Sequence, residues 1–282
     1  MEIELLKKLL VVPTTYHKED LMVRFILDKI LDIPHTRVSV DEYKNIYVTK
    51  GGGESYACVA AHTDTVFHWT AQPRVVVENN LVYGEFKDHQ IGLGADDKVG
   101  IFLCLTLLKK LDNLKAVFFA TEEIGCIGAR NSCPEFFDDV GYVLEFDCPG
   151  RGLLSYTSWG IRPFYNSGDF MKTALPVLTQ YGTTLWQHHP YTDISMVRKL
   201  HRVNCLNLSC GYYFEHRDQE CIWLPDVNWA LAQGEALLKE LGPWKYACPD
   251  TCYPTVEDDL QAPYPVTEYI APLLPIFKAR TA

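Results

Sequence analysis

The sequence has no long apolar run and no surplus of basic residues, and each absence excludes a class of protein. No apolar segment approaches the roughly 20 residues that a helix needs to cross a bilayer. The first residues, Met1 to Lys8, are typical of an amphipathic helix and lack the basic-then-apolar layout of a secretory signal. We therefore expect a cytoplasmic protein with no membrane partner. Asp and Glu outnumber Lys and Arg by 36 to 26, giving a formal net charge of -10, which argues against a nucleic-acid partner.

The ten cysteines do not indicate a disulfide framework. Cys58, Cys104 and Cys205 lie inside apolar runs, where a reduced thiol packs as a small hydrophobic group. Without an export signal, we expect all of them to be reduced. Cys248 and Cys252 have a spacing that could bind a metal ion, but no second Cys or His pair accompanies them.

The 282 residues, 48% of them hydrophobic, are enough for one large α/β domain or two small ones. No shift in composition divides the first 242 residues, which we interpret as one domain. Residues 243–282 contain seven prolines and are predicted to form a tail that lies along the surface or is partly disordered.

Short apolar runs alternate with segments of helical periodicity along the first 242 residues. Strands are predicted at 36–40, 45–49, 56–61, 74–77, 81–83, 116–120, 142–146, 153–156 and 203–208. Helices are predicted at 2–11, 19–32, 99–111, 168–180, 193–200 and 229–241. Strands connected through helices lie parallel, and this brings their carboxyl ends to one edge of the sheet.

Ligand-type side chains follow several of these strands, as expected of a metal site. They are His62 and Asp64, Glu122 and Glu123, Asp147 and His216, with Asp96 in a loop that leads into a helix. Singly, each has an ordinary interpretation, such as a helix start for the two glutamates, a helix cap for Asp96 or a turn for Asp147. Together, histidines and carboxylates without cysteine suit zinc, with cobalt or manganese as substitutes. Two ions that share one carboxylate need five ligands, which this set supplies.

Three motifs in this order resemble those of the co-catalytic di-zinc exopeptidases. They are His62-Thr63-Asp64-Thr65-Val66, Gly94-Ala95-Asp96-Asp97-Lys98-Val99-Gly100 and Thr121-Glu122-Glu123-Ile124-Gly125, followed by Asp147 and His216. This family includes peptidase T, carboxypeptidase G, related amidohydrolases and the bacterial leucyl aminopeptidases. The resemblance implies an α/β fold of three αβα layers with a mostly parallel, mixed central sheet, the zinc exopeptidase or phosphorylase/hydrolase-like fold.

The resemblance also implies a role for each residue. One zinc ion would be held by His62 and Asp147, the other by Glu123 and His216, and Asp96 would bridge the two. Asp64 would hydrogen-bond the second ring nitrogen of His62. Glu122 would be the general base, and the Asp96–Asp97 peptide bond would be cis. The spacing of the two adjacent glutamates does not by itself choose which of them binds the metal.

The sequence departs from the two-domain members of this family in one respect. Peptidase T and carboxypeptidase G insert a lid domain of roughly a hundred residues, usually after the third metal carboxylate. Here Asp147 and His216 are only 69 positions apart, so no lid fits. The resemblance therefore favours a single-domain aminopeptidase. Substitutes for the lid histidine and candidates for substrate contact are Tyr212, Tyr213, His188 and His189.

Three functions are open at this point. The first is a zinc exopeptidase of small peptides, with an aminopeptidase favoured. The second is an amidohydrolase that deacylates N-acyl amino acids on the same site. The third is a catalytically idle metal-binding homologue, although no ligand and no base is missing from the sequence. The sequence does not predict the side-chain specificity or the oligomeric state.

Overall fold

A nine-stranded mixed sheet runs through the computed structural model, which describes residues 2–249, 253 and 262–274. The strands are β1 (Thr36–Val40), β2 (Ile46–Lys50), β3 (Tyr56–His62), β4 (Arg74–Glu78), β5 (Leu81–Phe86), β6 (His89–Ile91), β7 (Leu114–Phe119), β8 (Val140–Cys148), β9 (Leu153–Ser158), β10 (Leu185–His189), β11 (Asn204–Ser209), β12 (Tyr212–Tyr213), β13 (Cys221–Trp223) and β14 (Val266–Glu268). The helices are α1 (Ile3–Leu10), α2 (Asp20–Leu31), α3 (Ala95–Lys110), α4 (Ile127–Arg130), α5 (Pro134–Phe137), α6 (Asp169–Gln180), α7 (Asp193–His201) and α8 (Leu224–Leu241).

The order of strands in the large sheet is β1-β2-β7-β3-β8-β11-β9-β10-β14. Its centre, from β7 through β3 and β8 to β11, is parallel. Strands β1 and β2 extend one edge in antiparallel pairing, and β9 pairs antiparallel with β11. The carboxyl ends of the four central strands therefore meet at one edge, as the sequence predicted.

Helices cover both faces of this sheet. On one face, α1, α2, α3, α6 and α8 pack against alternate strand residues such as Val59, Ala116 and Leu144. On the other face, α4, α5 and α7 pack against the intervening residues, such as Cys58 and Val117. Because both faces are covered, the central strands are apolar without alternation. The predicted three-layer α/β fold with a mostly parallel mixed sheet is confirmed.

The segment that separates Asp147 from the His216 loop forms β9, α6, β10, α7, β11 and β12, which belong to the two sheets and their covering helices. The described residues therefore include no inserted lid domain. Strand β10 was not predicted, because its sequence, two apolar residues followed by Gln187, His188 and His189, has neither the alternation nor the apolar run that indicates a strand.

A second, antiparallel sheet consists of β12, β13, β5 and β4, with β6 paired to β5. It carries the loop between β12 and β13, and therefore His216. The predicted hairpin at 74–83 belongs to this sheet. In the region predicted to be a tail, Val266–Glu268 forms β14 and pairs in parallel with β10 at the edge of the large sheet.

Two further predictions concern the cysteines and membrane insertion. The eight described cysteines other than Cys248 are free thiols. Cys252 lies outside the described residues, so a metal site at Cys248 and Cys252 stays a prediction. Among residues 2–249, 253 and 262–274, no helix is long and apolar enough to cross a membrane.

Asn45 joins three elements at the end of β7. Its Oδ1 accepts a hydrogen bond from the backbone N–H of Ala120 (3.1 Å), and its Nδ2 donates to the carbonyl oxygen of Gly128 (3.0 Å). The N–H of Gly128 in turn donates to the carbonyl of Ala120 (2.9 Å). This junction fixes the path of the chain where it leaves β7 toward Glu122 and Glu123.

Substituting Gly128 with alanine tests this junction. An ideal Cβ on Gly128 would lie 2.7 Å from the backbone nitrogen of Ala120, and closer still to the Ala120 carbonyl and Asn45 Oδ1. Backbone atoms cannot move aside cheaply, so we expect Gly128→Ala to lower the free energy of unfolding by about 1–3 kcal/mol in urea denaturation. The control Gly52→Ala adds a Cβ that meets nothing within 4 Å and should not be destabilised. Equal stability of the two variants would contradict this account.

Candidate metal centre

The candidate ligands meet where the parallel strands end. His62 is the last residue of β3, Glu122 and Glu123 follow β7, and Asp147 is the penultimate residue of β8. Asp96 lies at the start of α3, where Asp96 and Asp97 have non-helical backbone angles. The peptide bond between them is cis, as the sequence motif predicted. All of these side chains are buried.

Asp96 lies between the two histidines, with one oxygen directed to each. Its Oδ1 is 3.0 Å from His62 Nε2, and its Oδ2 is 3.2 Å from His216 Nε2. This is the arrangement that a carboxylate needs to bridge two cations.

Each histidine has a further carboxylate beside it. Asp147 Oδ1 lies 3.5 Å from His62 Nε2, and Glu123 Oε2 lies 3.0 Å from His216 Nε2. The structure thus brings together all five residues that the sequence predicted as ligands. His216 lies on the loop between β12 and β13 with a φ angle of 61°, and its side chain is 46% exposed.

The ring of His62 is oriented from behind by Asp64. Its Nδ1 lies 3.1 Å from the backbone carbonyl of Asp64 and 3.5 Å from the carboxylate Oδ1. A carbonyl oxygen only accepts, so Nδ1 carries the hydrogen, and Nε2 offers a lone pair toward Asp96 and Asp147 when the ring is neutral.

The Asp64 carboxylate has a second function that the sequence did not indicate. Its Oδ1 accepts a hydrogen bond from the backbone N–H of Glu122 (2.8 Å), and its Oδ2 accepts one from Glu123 (3.1 Å). One buried side chain therefore fixes both the His62 strand end and the turn with the two glutamates. Hydrogen bonds to an ionised acceptor are among the stronger ones in proteins.

Two other side chains fix the remaining ligands through the backbone. The Asn207 amide accepts from the N–H of Asp147 (2.9 Å) and donates to the carbonyl of Asp147 (3.3 Å). Glu220 Oε2 accepts from the backbone N–H groups of Leu93 (2.7 Å) and Ala95 (3.0 Å). Glu220 therefore connects the loop that carries His216 to the loop that carries Asp96.

Lys98 also holds the loop that carries Asp96. Its Nζ donates to the carbonyl oxygens of Leu93 (2.7 Å) and Leu10 (3.1 Å) and lies 4.2 Å from the centre of the Trp69 ring. Burial lowers the pKa of Lys98 to about 7. Backbone carbonyls and an aromatic face, rather than solvent, surround this amine.

Carboxylates greatly outnumber the buried cations around this centre. Behind the five candidate ligands and Glu122 lie further buried acids, namely Asp64, Asp97, Glu145 and Asp193. Burial is the largest cause that raises the pKa values of Asp97, Glu122, Glu123, Glu145 and Asp193, and it raises the pKa of Asp147 to about 7. Charged carboxylates in such a setting need cations.

The two histidines have raised pKa values, which favour their charged form. Burial lowers the pKa of His62, but the carboxylates of Asp147, Asp64 and Asp96 outweigh it and raise that pKa well above its usual value. Hydrogen bonds with Asp96 and Glu123 raise the pKa of His216 to about 11. Burial would raise the pKa of Asp96, yet its hydrogen bonds with His216 and His62 hold it below the usual range. Without metal, protons on the histidines take the place of cations.

Two groups of ligand atoms are close enough to hold a metal ion. Atoms of His62, Asp96 and Glu123 lie within 4.8 Å of one another, and so do atoms of His62, Asp97 and Asp147. In the second group, however, Asp97 accepts hydrogen bonds from the N–H groups of His62 (3.3 Å) and Gly100 (3.0 Å). Asp97 is therefore occupied by the backbone, and Asp96 is the better placed partner for His62 and Asp147.

Glu123 Oε1 provides an independent indication of a cation. This oxygen is buried and has no hydrogen-bond partner in the described part of the chain. A buried acceptor left without a partner costs about 1–3 kcal/mol. A metal ion beside Glu123 would satisfy it, so the residues present fit a metal site.

A cavity of about 230 Å³ opens onto these residues. Besides Asp96, Glu122, Glu123, Asp147 and His216, it is lined by Pro149, His189, Pro190, Tyr191, Tyr212, Glu215 and Tyr269. Of the four weaker sequence candidates, Tyr212 and His189 are in this lining, and the Tyr212 hydroxyl donates to Asp147 Oδ1 (3.4 Å).

The other two candidates lie outside the cavity lining. The Tyr213 hydroxyl donates to Asp226 Oδ2 (2.5 Å), and His188 Nδ1 hydrogen-bonds the Thr157 hydroxyl (2.7 Å). Sequence reasoning did not single out Glu215 or Tyr269. The position of Glu215 next to His216 could have indicated it as a site residue. Nothing in the local sequence predicts that Tyr269 lies at this cavity.

Comparison with solved structures places this fold among peptidases. The aminopeptidase PepT from Bacillus cereus ATCC 10987 matches with a TM-score of 0.71 and 13% identity, over 85% of this chain and 97% of that one. A tripeptidase from Staphylococcus aureus matches with a TM-score of 0.67 and 14% identity, over 84% and 96%. A TET aminopeptidase from a marine sediment archaeon of the Thaumarchaeota matches with a TM-score of 0.68 and 13% identity, over 85% and 96%.

No protein-family model and no curated protein sequence matches the chain. Identities of 13–14% show a shared fold. The α/β fold that the motif resemblance implied is therefore confirmed, and the chain shares it with these peptidases.

The burial of these charges predicts how stability depends on pH and metal. In the metal-free protein, Asp147 keeps its proton up to about pH 7 and His216 keeps its proton to about pH 11, whereas the unfolded chain releases both earlier. Rising pH therefore favours unfolding. We expect the melting temperature of chelator-treated protein to fall between about pH 5.5 and 8.

Added zinc should raise the melting temperature, and more so at about pH 8 than at 5.5, because its ligands must lose their protons to bind. Differential scanning calorimetry with and without zinc measures both effects. Asp96→Asn is the matched variant and should lose most of the zinc-dependent increase. A melting temperature that does not respond to zinc at either pH would exclude a metal centre here.

Proposed function

We propose that this protein is a zinc-dependent exopeptidase of short peptides, with an aminopeptidase activity favoured. The observation that carries the proposal is the Asp96 carboxylate between His62 and His216, with Glu122 beside them in the same cavity. The fold shared with aminopeptidases and a tripeptidase supports it.

In this proposal the centre would bind two zinc ions. His62 and Asp147 would hold one, Glu123 and His216 would hold the other, and Asp96 would contribute an oxygen to each. When bound, the two ions supply Lewis-acid chemistry, which polarises a carbonyl group and makes a water molecule more acidic. Cobalt or manganese could substitute, since the ligands are nitrogen and oxygen atoms.

Glu122 would act as the general base. It lines the cavity, and its Oε2 lies 4.0 Å from His62 Nε2. The backbone N–H of Glu122 donates to Asp64 Oδ1, which fixes the point from which the Glu122 side chain extends. Burial raises the pKa of Glu122, which makes its carboxylate a better proton acceptor. Glu122 would take a proton from the attacking water and deliver it to the leaving amine.

The size of the cavity supports a short substrate. At about 230 Å³ it is smaller than the roughly 300–1,000 Å³ of pockets for drug-sized ligands. Pro149, Pro190 and Tyr191 line it beside the ligands. A cavity of this size suits a short peptide better than a long one.

The substitution Glu122→Gln tests the mechanism. It keeps the size of the side chain and removes the proton acceptor, so we expect kcat to fall by about 10²–10⁴-fold or more. Metal analysis should still find two zinc ions per chain, since Glu122 is not a proposed ligand. Exposed Glu54→Gln serves as the control and should keep full activity. Normal turnover by Glu122→Gln would refute the proposed role.

A substrate panel separates the exopeptidase from its alternatives. We expect hydrolysis of aminoacyl anilides and tripeptides with a free N-terminus, and little hydrolysis of N-acetyl amino acids. The reverse preference would identify an N-acyl amino acid deacylase on the same site. Zinc binding without hydrolysis of any member would instead indicate an idle metal-binding homologue.

A further inference from the structure

Glu215 lines the same cavity but is not among the proposed metal ligands or bases. It precedes His216 on the loop between β12 and β13. One of its oxygens, Oε1, accepts a hydrogen bond from the Tyr269 hydroxyl. The other, Oε2, is buried and has no partner within the residues that the structure describes. Glu215 Oε2 therefore lacks a hydrogen-bond donor among these residues.

Tyr269 comes from the C-terminal segment that follows β14, and this segment is fixed at several points. Strand β14 pairs with β10. The N–H of Ile270 donates to Gln187 Oε1 (3.2 Å), and Leu274 is buried in a small apolar cluster with Tyr213 and Cys221. The segment thus presents Tyr269 to Glu215 from a defined position.

His189 is a second acceptor in the cavity wall. Its ring packs edge-on against Tyr269, with centroids 4.7 Å apart. Its Nδ1 lies 3.3 Å from the carbonyl oxygen of Tyr191, so Nδ1 carries the hydrogen. Its Nε2 is buried, with no partner in the described ranges. Burial lowers the pKa of His189 to about 4, so the ring is neutral and Nε2 accepts rather than donates.

We propose that Glu215 and His189 form the subsite that receives the α-ammonium group of the substrate's first residue, with Tyr269 as the residue that positions Glu215. This inference rests on the proposed peptidase function. It deepens that function by assigning the free N-terminus of the substrate, rather than its C-terminus, to the part of the cavity wall that Glu215 and His189 form.

Of the groups at the two ends of a peptide, the α-ammonium group is the one that matches these two acceptors. An ammonium group offers three donors and a positive charge, which match a carboxylate oxygen and a neutral imidazole nitrogen. A terminal carboxylate would be repelled by Glu215. An N-acyl group brings no charge and leaves both acceptors without a strong donor, and sites built to bind a donor reject ligands that lack it.

The decisive experiment compares two substrates that differ only in the amino group. These are leucine p-nitroanilide and 4-methylpentanoyl p-nitroanilide, assayed with the zinc-loaded full-length protein. For Glu215→Gln we expect kcat/KM on the leucine substrate to fall about 10- to 100-fold, mostly through KM, because a charge-assisted hydrogen bond is lost. The low rate on the des-amino substrate should not change.

Two further variants accompany Glu215→Gln. Tyr269→Phe keeps the Glu215 charge and removes only its fixed donor, so we expect a smaller increase in KM for the same substrate. Asp218→Asn removes an exposed charge from the same loop and should match wild type. Zinc content should be equal in all variants. An equal loss on both substrates by Glu215→Gln, or no loss on either, would overturn the inference.

Calorimetric titration tests the inference independently of catalysis. In the zinc-loaded Glu122→Gln protein, which should not hydrolyse the amide, L-leucinamide should bind more tightly than 4-methylpentanamide, and adding Glu215→Gln should abolish this difference. The absence of any difference in Glu122→Gln would overturn the subsite. If the difference is present while the wild type hydrolyses no peptide, the ammonium subsite is supported and the proposed peptidase function fails, so the two failures are distinguishable.

Discussion

The concentration of buried carboxylates at one edge of the central sheet is the constraint on which this structure depends. Asp96, Glu123 and Asp147 surround two histidines, and further acids lie behind them. Removing such charges from water is unfavourable unless cations or protons compensate them. In the absence of metal, the histidines keep protons that they would otherwise release. The same excess of buried negative charge, which is unfavourable in the metal-free protein, would give the proposed centre its affinity for divalent cations.

Backbone hydrogen bonds from buried side chains hold this arrangement in place. Asp64 fixes the turn with the two glutamates, Asn207 fixes Asp147, and Glu220 connects the loops of Asp96 and His216. Through these hydrogen bonds each residue acts on backbone atoms of a ligand or of its neighbours, and Asp64 also contacts the ring of His62. The ligand oxygens and nitrogens consequently remain directed toward one another, which is the preorganisation that metal binding and catalysis require.

A segment at the far end of the chain completes the wall of the cavity. Two-domain members of the family that the motifs resemble insert a lid domain, and the described residues here contain none. Instead, β14 extends the sheet and Tyr269 contacts Glu215 and His189. Because the segment pairs with an edge strand, its position is set by main-chain hydrogen bonds. The proposed substrate preference thus depends in part on Tyr269, which is 53 positions from the nearest proposed metal ligand, His216.

The sequence by itself determined the α/β class, the parallel centre of the sheet and the residues that meet at its edge. Apolar runs that are buried on both faces, such as Ala116 to Phe119, leave a local signal, and the rules of parallel connection then bring their carboxyl ends together. Only the tertiary structure decided which acids face a histidine. It showed that the backbone occupies Asp97 while Asp96 lies between His62 and His216. It also brought Tyr269 to the cavity, since long-range strand pairing, unlike periodicity, leaves no trace in the local sequence.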